Sequence, residues 1–516
     1  MKCEVIRRIS QGTIEKEINE LANIQRERQQ AKAIKNQAGK EEEDYLEKTI
    51  GAFGIWQAFI SVTVVLGRAV SMWNMMSIVF LTPLTEFNCV EFSYNAPLEP
   101  KNSTCYENCL RYEYSSVVEK NIIEEFKMIC QDAWLASFIQ FILMLGVLLG
   151  VSLFGWISDR FGRRVGLLLS MFINAVFMIS MSFSPNVTVF CIIRFIIGVA
   201  TGGSLLICIV HVLEITGKKY REIAGALCVL PDCIAEASLA GFAYFTSDWR
   251  NYTLSYGVAT CIIFILMVFV PESPRWLVSN EKVDEAVKVI TSAATRNNLD
   301  TTNIKEDITK VIEDMNLLNQ GVVKTTYLDF FKSKKIFVLT LTVCVMWLGL
   351  GMCFYGIYQY DTIIGMNPFL TIIILGLIQI PLCPLEIVLN KRFGRKISII
   401  GASCGVGVTM VILVFIPEGH WVAKLLGIIG FSCATIIFAV AYVQVSELFP
   451  TPLRNKGYGM AASGARVGAM VAPFVANLMP RWLPSVCFAV MAFVTGFCCL
   501  FLPETKGQNL KDTIEK

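Results

Sequence analysis

Asp159-Arg160-Phe161-Gly162-Arg163-Arg164 is echoed 232 positions later by Lys391-Arg392-Phe393-Gly394-Arg395-Lys396. The echo is not isolated. Glu214, seven residues before Arg221, returns as Glu447, seven before Arg454, at an offset of 233. Pro271-Glu272-Ser273 returns as Pro503-Glu504-Thr505, again at 232. Three patterns at one spacing identify a duplicated unit whose copies are joined by residues 275–335.

The stretches between these motifs are long and apolar. Of 516 residues, 54% are hydrophobic and 17% charged, with mean hydropathy +0.56; soluble proteins carry about 25% charged residues. Apolar runs fall at 53–81, 133–156, 165–183, 188–213, 222–246, 253–270, 336–357, 368–389, 397–416, 422–446, 457–478 and 485–502. A helix needs about 20 such residues to cross hydrocarbon. Backbone polar groups in lipid must be satisfied within the segment, and no run alternates like a barrel strand. The fold class expected is an all-α membrane protein with twelve transmembrane helices in two pseudo-symmetric six-helix bundles. Residues 1–50 form a polar leader, 51–274 the first half with a loop at 83–131, 275–335 a linker of short amphipathic helices, 336–502 the second half and 503–516 a tail. The first apolar run starts near Gly51, so no cleavable signal peptide is expected.

Lys and Arg of the short loops set the orientation. Arg160, Arg163, Arg164, Lys218, Lys219, Arg221, Lys391, Arg392, Arg395, Lys396, Arg454 and Lys456 lie on one side, and only Arg250, Lys424 and Arg481 on the other. Both termini and the linker are therefore expected in the cytoplasm. The 83–131 loop then lies outside, where it carries Cys89, Cys105, Cys109, Cys130 and the glycosylation sequon Asn102-Ser103-Thr104. Four cysteines beside a sequon fit an oxidising compartment, with three connectivities open; no histidine is near to suggest zinc. A net charge of +3 gives no footprint for nucleic acid. There is no GxxxxGK[ST] loop for ATP. His211 and His420 are the only histidines, and no nucleophile–base spacing suggests an enzyme. No cofactor or metal is expected, and the oligomeric state is left open.

Gly155-x-x-x-Asp159-Arg160-x-Gly162-Arg163-Arg164 resembles the loop signature between helices 2 and 3 of the major facilitator superfamily. Pro271-Glu272-Ser273-Pro274-Arg275-Trp276-Leu277 is similar to a motif shared by its sugar porters and organic-ion transporters. The cysteine-bearing loop and Met128-Ile129-Cys130-Gln131-Asp132 resemble the organic-ion branch, as do Ser446-Glu447-Leu448-Phe449-Pro450-Thr451 and Leu502-Pro503-Glu504-Thr505-Lys506-Gly507. The resemblance covers roughly residues 44–512 and points to an invertebrate member of the organic cation, anion and carnitine transporters. It implies the major facilitator fold, a small organic ion as substrate and a plasma-membrane location.

In a carrier of this kind, charge pairs near the interface form and break as access alternates. Arg163 and Arg164 stand toward Glu214, and Arg395 and Lys396 toward Glu447. With Asp159, Arg160, Arg221, Arg392 and Arg454 these are the candidate gating residues; setting topology is the plainer role for the basic ones. Charges inside the spans cost several kcal/mol unless paired or facing water. Arg466 sits mid-span in Ser463-Gly464-Ala465-Arg466-Val467-Gly468. The resemblance places it where anion and carnitine carriers have Arg and cation carriers an acid, which implies a substrate carboxylate. The other reading is an internal ion pair with Asp232 or Glu236.

Asp232 and Glu236 lie one turn apart on the fifth span and share a face; they could hold a cation, carry a proton or neutralise Arg466. Arg68, deep in the first span, either lines the cavity or marks a kink. Arg194 reads as a packing residue. Trp347, Phe354, Tyr355 and Tyr358 of the seventh span are candidates for an aromatic wall around an organic ligand, with Gln140, Gln379, Tyr442 and Gln444 as further cavity residues. The function expected is a carrier of small organic anions or carnitine-like zwitterions working by alternating access. Alternatives are an organic cation carrier, a non-transporting receptor on the same scaffold, or a channel; the duplicated gate motifs favour a carrier.

Overall fold

The computed structural model describes residues 45–93, 103–319, 330, 333–364, 367–417, 419–450 and 453–506. They fall into two compact units, 58–214, 222–276 and 324–516 making the larger. Its helices are α1 (Ile55–Met76, continued after Ser77 by Ile78–Leu81), α2 (Trp134–Phe161), α3 (Arg163–Met181), α4 (Val187–Ile215), α5 (Leu230–Phe245), α6 (Trp249–Met267), α7 (Lys334–Ile364), α8 (Pro368–Phe393), α9 (Arg395–Leu413), α10 (Trp421–Leu448), α11 (Arg454–Ala476) and α12 (Leu483–Leu500). Among the described residues eleven helices are long and apolar enough to cross a membrane. The exception is α6, nineteen residues long, whose first turns carry Arg250, Asn251 and Thr253. Twelve helices in the expected order thus form the bundle.

Local chemistry sets most boundaries. Asp248 caps α6 by accepting from the Arg250 amide, and Asn367 caps α8 from Leu370, with Pro368 in the first turn. The turns before α3 and α9 pass through Gly162 (φ +114°) and Gly394 (φ +88°), conformations that favour glycine. Each turn is closed by the acid of the third repeated motif. Glu272 accepts from the Arg164 amide at 3.0 Å, and Glu504 from those of Arg395 and Lys396 at 3.1 Å each. The recurrence of Pro-Glu-Ser and Pro-Glu-Thr is therefore a helix cap supplied from the end of the half.

Three expectations shift. The seventh span extends to Ile364 rather than 357, because Tyr358-Gln359-Tyr360-Asp361 is buried and stays helical. The run 222–246 is broken: Arg221–Leu227 is a separate helix, and α5 starts at Leu230 with Pro231 in its first turn. The third change is confined to the 83–131 loop, outside the helical bundle. Thr85–Phe92 (β1) pairs antiparallel with Cys109–Ser116 (β2), with irregularities between Cys89 and Phe92. An isolated two-stranded hairpin is marginal in water; here Cys89–Cys109 staples it and Cys105–Cys130 ties it to the segment before α2. These two bridges settle the connectivity. Asn102 lies outside the described residues. The hairpin marks one end of the bundle, and the duplicated charge motifs mark the other.

At the hairpin end the halves meet. Phe80 stacks on Phe369 at 5.1 Å, and Phe141 meets Phe474. The Ser137 hydroxyl donates to the Pro473 carbonyl at 3.0 Å and accepts from Asn477 at 2.9 Å. Deeper in, α5 and α8 touch backbone to backbone: a Cβ on Gly376 would lie 2.8 Å from both the Cys233 carbonyl and the Ala237 nitrogen. Near the hairpin, Glu125 accepts from Arg250 and from the Trp249 indole. Burial raises its carboxyl, but those two partners outweigh it and hold the group below its ordinary value.

The smaller unit, within residues 45–57, 215–221 and 277–323, holds Tyr45–Ile50, Val283–Arg296 and Ile304–Asn319. It is built around Asn297, whose side chain donates to the Ile50 carbonyl and to Gln57 and accepts from the Trp56 amide. Ala286, Ile290, Ala293 and Ala294 are fully buried and form the apolar side of Val283–Arg296.

Candidate functional site

Of the charged side chains deep in the bundle, Arg68, Asp232, Glu236 and Arg466 are sorted by their partners. Arg68 of α1 grips Asp232 of α5 through two nitrogens, with Nε 3.1 and 3.2 Å from the two oxygens and Nη2 on Oδ2. Both residues are buried, 6% and 5% exposed. Asp232 lies in the first turn of α5, where the helix N-terminus also favours an anion. Arg68 therefore marks neither a kink nor a vacant cation: the α1 break comes later, at Ser77.

Glu236, one turn beyond Asp232, takes a different partner. It is 2% exposed and accepts from the Gln379 amide of α8, across the seam between the halves. Arg466 pairs with neither acid. It is half-buried on α11 and donates to the Tyr355 hydroxyl at 2.7 Å. Among the described residues no carboxylate lies within ion-pair distance of it. A guanidinium whose partner is a neutral phenol can accept an anion without first losing a salt bridge.

The aromatic residues of α7 divide. Tyr355 and Tyr358 line a small cavity between the halves with Met75, Gln140, Gln359 and Pro473. Trp347 and Phe354, seven residues apart, pack into the C-terminal half instead. Trp347 sits edge-on to Tyr442 at 4.8 Å, and Phe354 contacts Phe431 and Phe438 at 5.2 Å each. Gln444 is fully buried beside Cys499. Arg194 is fully buried and donates to the Asn74 carbonyl, Ser77 and Gln140, so it braces α1 and α2 against α4.

At the motif end Arg163 holds Glu214, with Nε at 3.1 and 3.2 Å and Nη2 at 2.9 Å, and also bonds Asp159. Arg395 holds Glu447 at 2.8 Å, and Thr505 donates to the same carboxylate. The second basic residue of each motif goes elsewhere. Arg164 donates to the Val268 carbonyl and Lys396 to that of Leu500, because each lies beside the end of the last helix of its half. These pairs are internal to a half. Arg160 and Arg392 are exposed, and Arg221 and Arg454 open the helices that follow them.

Asp361 was not singled out by the sequence. It is 5% exposed, packs on Gly427 of α10, and among the described residues neither of its oxygens has a hydrogen-bond partner. Its signal was an acid inside a helix, hidden by ending the seventh span at 357, four residues before it. Among the described residues no group of three His, Cys, Asp or Glu comes together as a metal site would require.

The profile of the sugar (and other) transporter family matches residues 60–515. Solute carrier family 22 member 3 of Mus musculus is 31% identical over 76% of this chain and 71% of its own length. The organic cation transporter protein of Drosophila melanogaster is 28% identical over 81% of this chain and 77% of its own. Among solved structures, the inward-open xylose transporter XylE from E. coli superposes with a TM-score of 0.65 at 18% identity, covering 88% of this chain and 98% of that one. That likeness concerns the fold.

Proposed function

The chain belongs to the sugar (and other) transporter family and, within it, to solute carrier family 22; from that premise we propose that it carries small organic anions or carnitine-like zwitterions by alternating access, with Arg466 as the anchor for the substrate's carboxylate. It is a multi-pass membrane transporter and its relatives are transporters, not enzymes. What carries the substrate reading is the pairing of Arg466 with Tyr355 alone. A carboxylate entering the cleft can take the guanidinium bidentately while the Tyr355 hydroxyl turns to it as a second donor. Tyr355 and Tyr358 offer ring faces to the organic part of the solute.

In the cycle, the two halves rock about this site. The aromatic and polar contacts at the hairpin end close one entrance, and the ion pairs Arg163–Glu214 and Arg395–Glu447 stiffen the segments that move at the other. We place the hairpin end outside the cell and both termini in the cytoplasm, from the distribution of Lys and Arg, the two disulfides and the sequon at Asn102. The plasma membrane is the location that fits these features.

A second reading, an organic cation held by the α5 acids, draws on Glu236, which has no basic partner among the described residues, and on the name of the Drosophila relative. Asp232 weakens it, being occupied by Arg68. The test is concentration-dependent uptake of labelled para-aminohippurate, carnitine and tetraethylammonium by the reconstituted protein. Saturable uptake with counter-transport is expected for the first or second probe. Uptake that rises linearly means a channel, and uptake of tetraethylammonium alone overturns the charge assignment.

A further inference from the structure

Glu236 is the fourteenth of 23 residues in the span Ile223–Phe245, and Gln379 the twelfth of 26 in α8. The contact between them therefore lies near mid-depth, on the seam where the halves part. The carboxyl is 2% exposed, and among the described residues its one hydrogen-bond partner is a neutral amide. Neither deep arginine of the cleft reaches it: Arg68 pairs with Asp232, and Arg466 donates to Tyr355. The other titratable groups near it are Asp232 and Cys233 on its own helix and Tyr355 and Tyr358 from α7. On α8, Cys383 and Glu386 follow Gln379 at four and seven residues, on the same face. None of these supplies a positive charge. An ionised carboxylate in this position costs more than one amide hydrogen bond returns.

We propose that Glu236 is a proton-binding site that couples the solute's passage to the movement of one proton. The carboxyl takes a proton from water on one side, keeps it while α5 lies against α8, and returns it to water on the other side when the helices separate. One O–H bond forms and later breaks, and nothing is oxidised or reduced. A monoanion crossing with that proton moves no net charge, whereas a zwitterion crossing with it carries one positive charge. The inference rests on reading this cleft as the carrier site, not on the sign of the solute.

The test uses the reconstituted full chain and its Glu236→Gln and Glu236→Asp variants. Infrared difference spectra without solute report the protonated carboxyl. Uptake of para-aminohippurate, carnitine and tetraethylammonium, with and without an inward proton gradient, reports the coupling. The wild type should show a protonated-carboxyl band that Glu236→Gln lacks and Glu236→Asp keeps at a shifted position. A proton gradient should drive the transported probe several-fold above its gradient-free level in the wild type, and Glu236→Gln should show no response to the gradient. Absence of the band, or a gradient response in Glu236→Gln equal to that of the wild type, overturns the proposal. If the wild type moves none of the probes, it is the carrier reading that fails, and the infrared band still decides the protonation of Glu236.

Discussion

Arg68 and Arg466 are both guanidiniums set deep in the bundle, and their partners give them different work. Arg68 is satisfied by a buried carboxylate, so its removal leaves Asp232 charged and unpaired. Breaking such a pair from one side costs roughly 3–5 kcal/mol, while removing both charges costs far less. Arg68→Met and Asp232→Asn should each lower the thermal stability of the purified protein markedly. The double variant should recover most of the loss; a double variant worse than either single would show that the pair is not a closed unit. Arg466→Ala, by contrast, should leave stability nearly unchanged and weaken binding of a carboxylate probe roughly ten- to a hundred-fold, the worth of one charge-assisted hydrogen bond. All four charges were visible as anomalies in apolar runs. Their pairing was not, since Arg68 and Asp232 are 164 positions apart and only packing brings them together. The same limit hid the split among the α7 rings, where a stripe of aromatics fits a cavity wall and a helix core equally well.

Among the helices, the repeated Pro-Glu motif makes a prediction that follows from its geometry. Burial raises the Glu504 carboxyl, but the four amides it accepts from outweigh burial and hold it below its ordinary value. The charged form is therefore the stabilising one. The stability difference between wild type and Glu504→Gln should be full above about pH 4.5, the unfolded value, and should close as pH falls through the lower folded value. Denaturation curves across that range measure it; a gap that persists in acid would mean the cap does not depend on charge. Gly376 sets a steric condition of the same scale. Gly376→Leu should hold α5 away from α8, because the new side chain meets backbone atoms that cannot yield. Maleimide labelling of Cys233, in a background without other free cysteines, should rise from near zero; unchanged labelling would place the seam elsewhere. Hydropathy located these helices well. It misjudged their ends where burial rather than lipid keeps polar residues helical, as at Gln359 and Asp361, and where Pro231 restarts a helix inside an apolar run. The hairpin lay in a stretch read only as a cysteine loop.

Across the whole molecule, duplication explains why the chain uses two of each device: a glycine turn, a capping acid and an Arg–Glu pair per half. Glu214→Gln and Glu447→Gln should therefore slow transport in parallel while leaving the preference among solutes unchanged, because both pairs lie within a half and away from the cleft. Selectivity that shifts in either variant would give the motif end a part in recognition. The duplicated plan could be read from spacing alone, since local motifs are copied with the sequence. The asymmetric centre could not. Arg466 and Tyr355 belong to one half, Arg68 and Asp232 to the other, and the seam contact Glu236–Gln379 joins them. The charge at that centre decides which solutes the carrier takes. The most direct test compares wild type and Arg466→Asp for uptake of para-aminohippurate, carnitine and tetraethylammonium. Loss of the anion and the zwitterion in the variant is the result predicted. A wild type that carries only the cation, at a rate Arg466→Asp leaves unchanged, would contradict it and hand the site to the α5 acids.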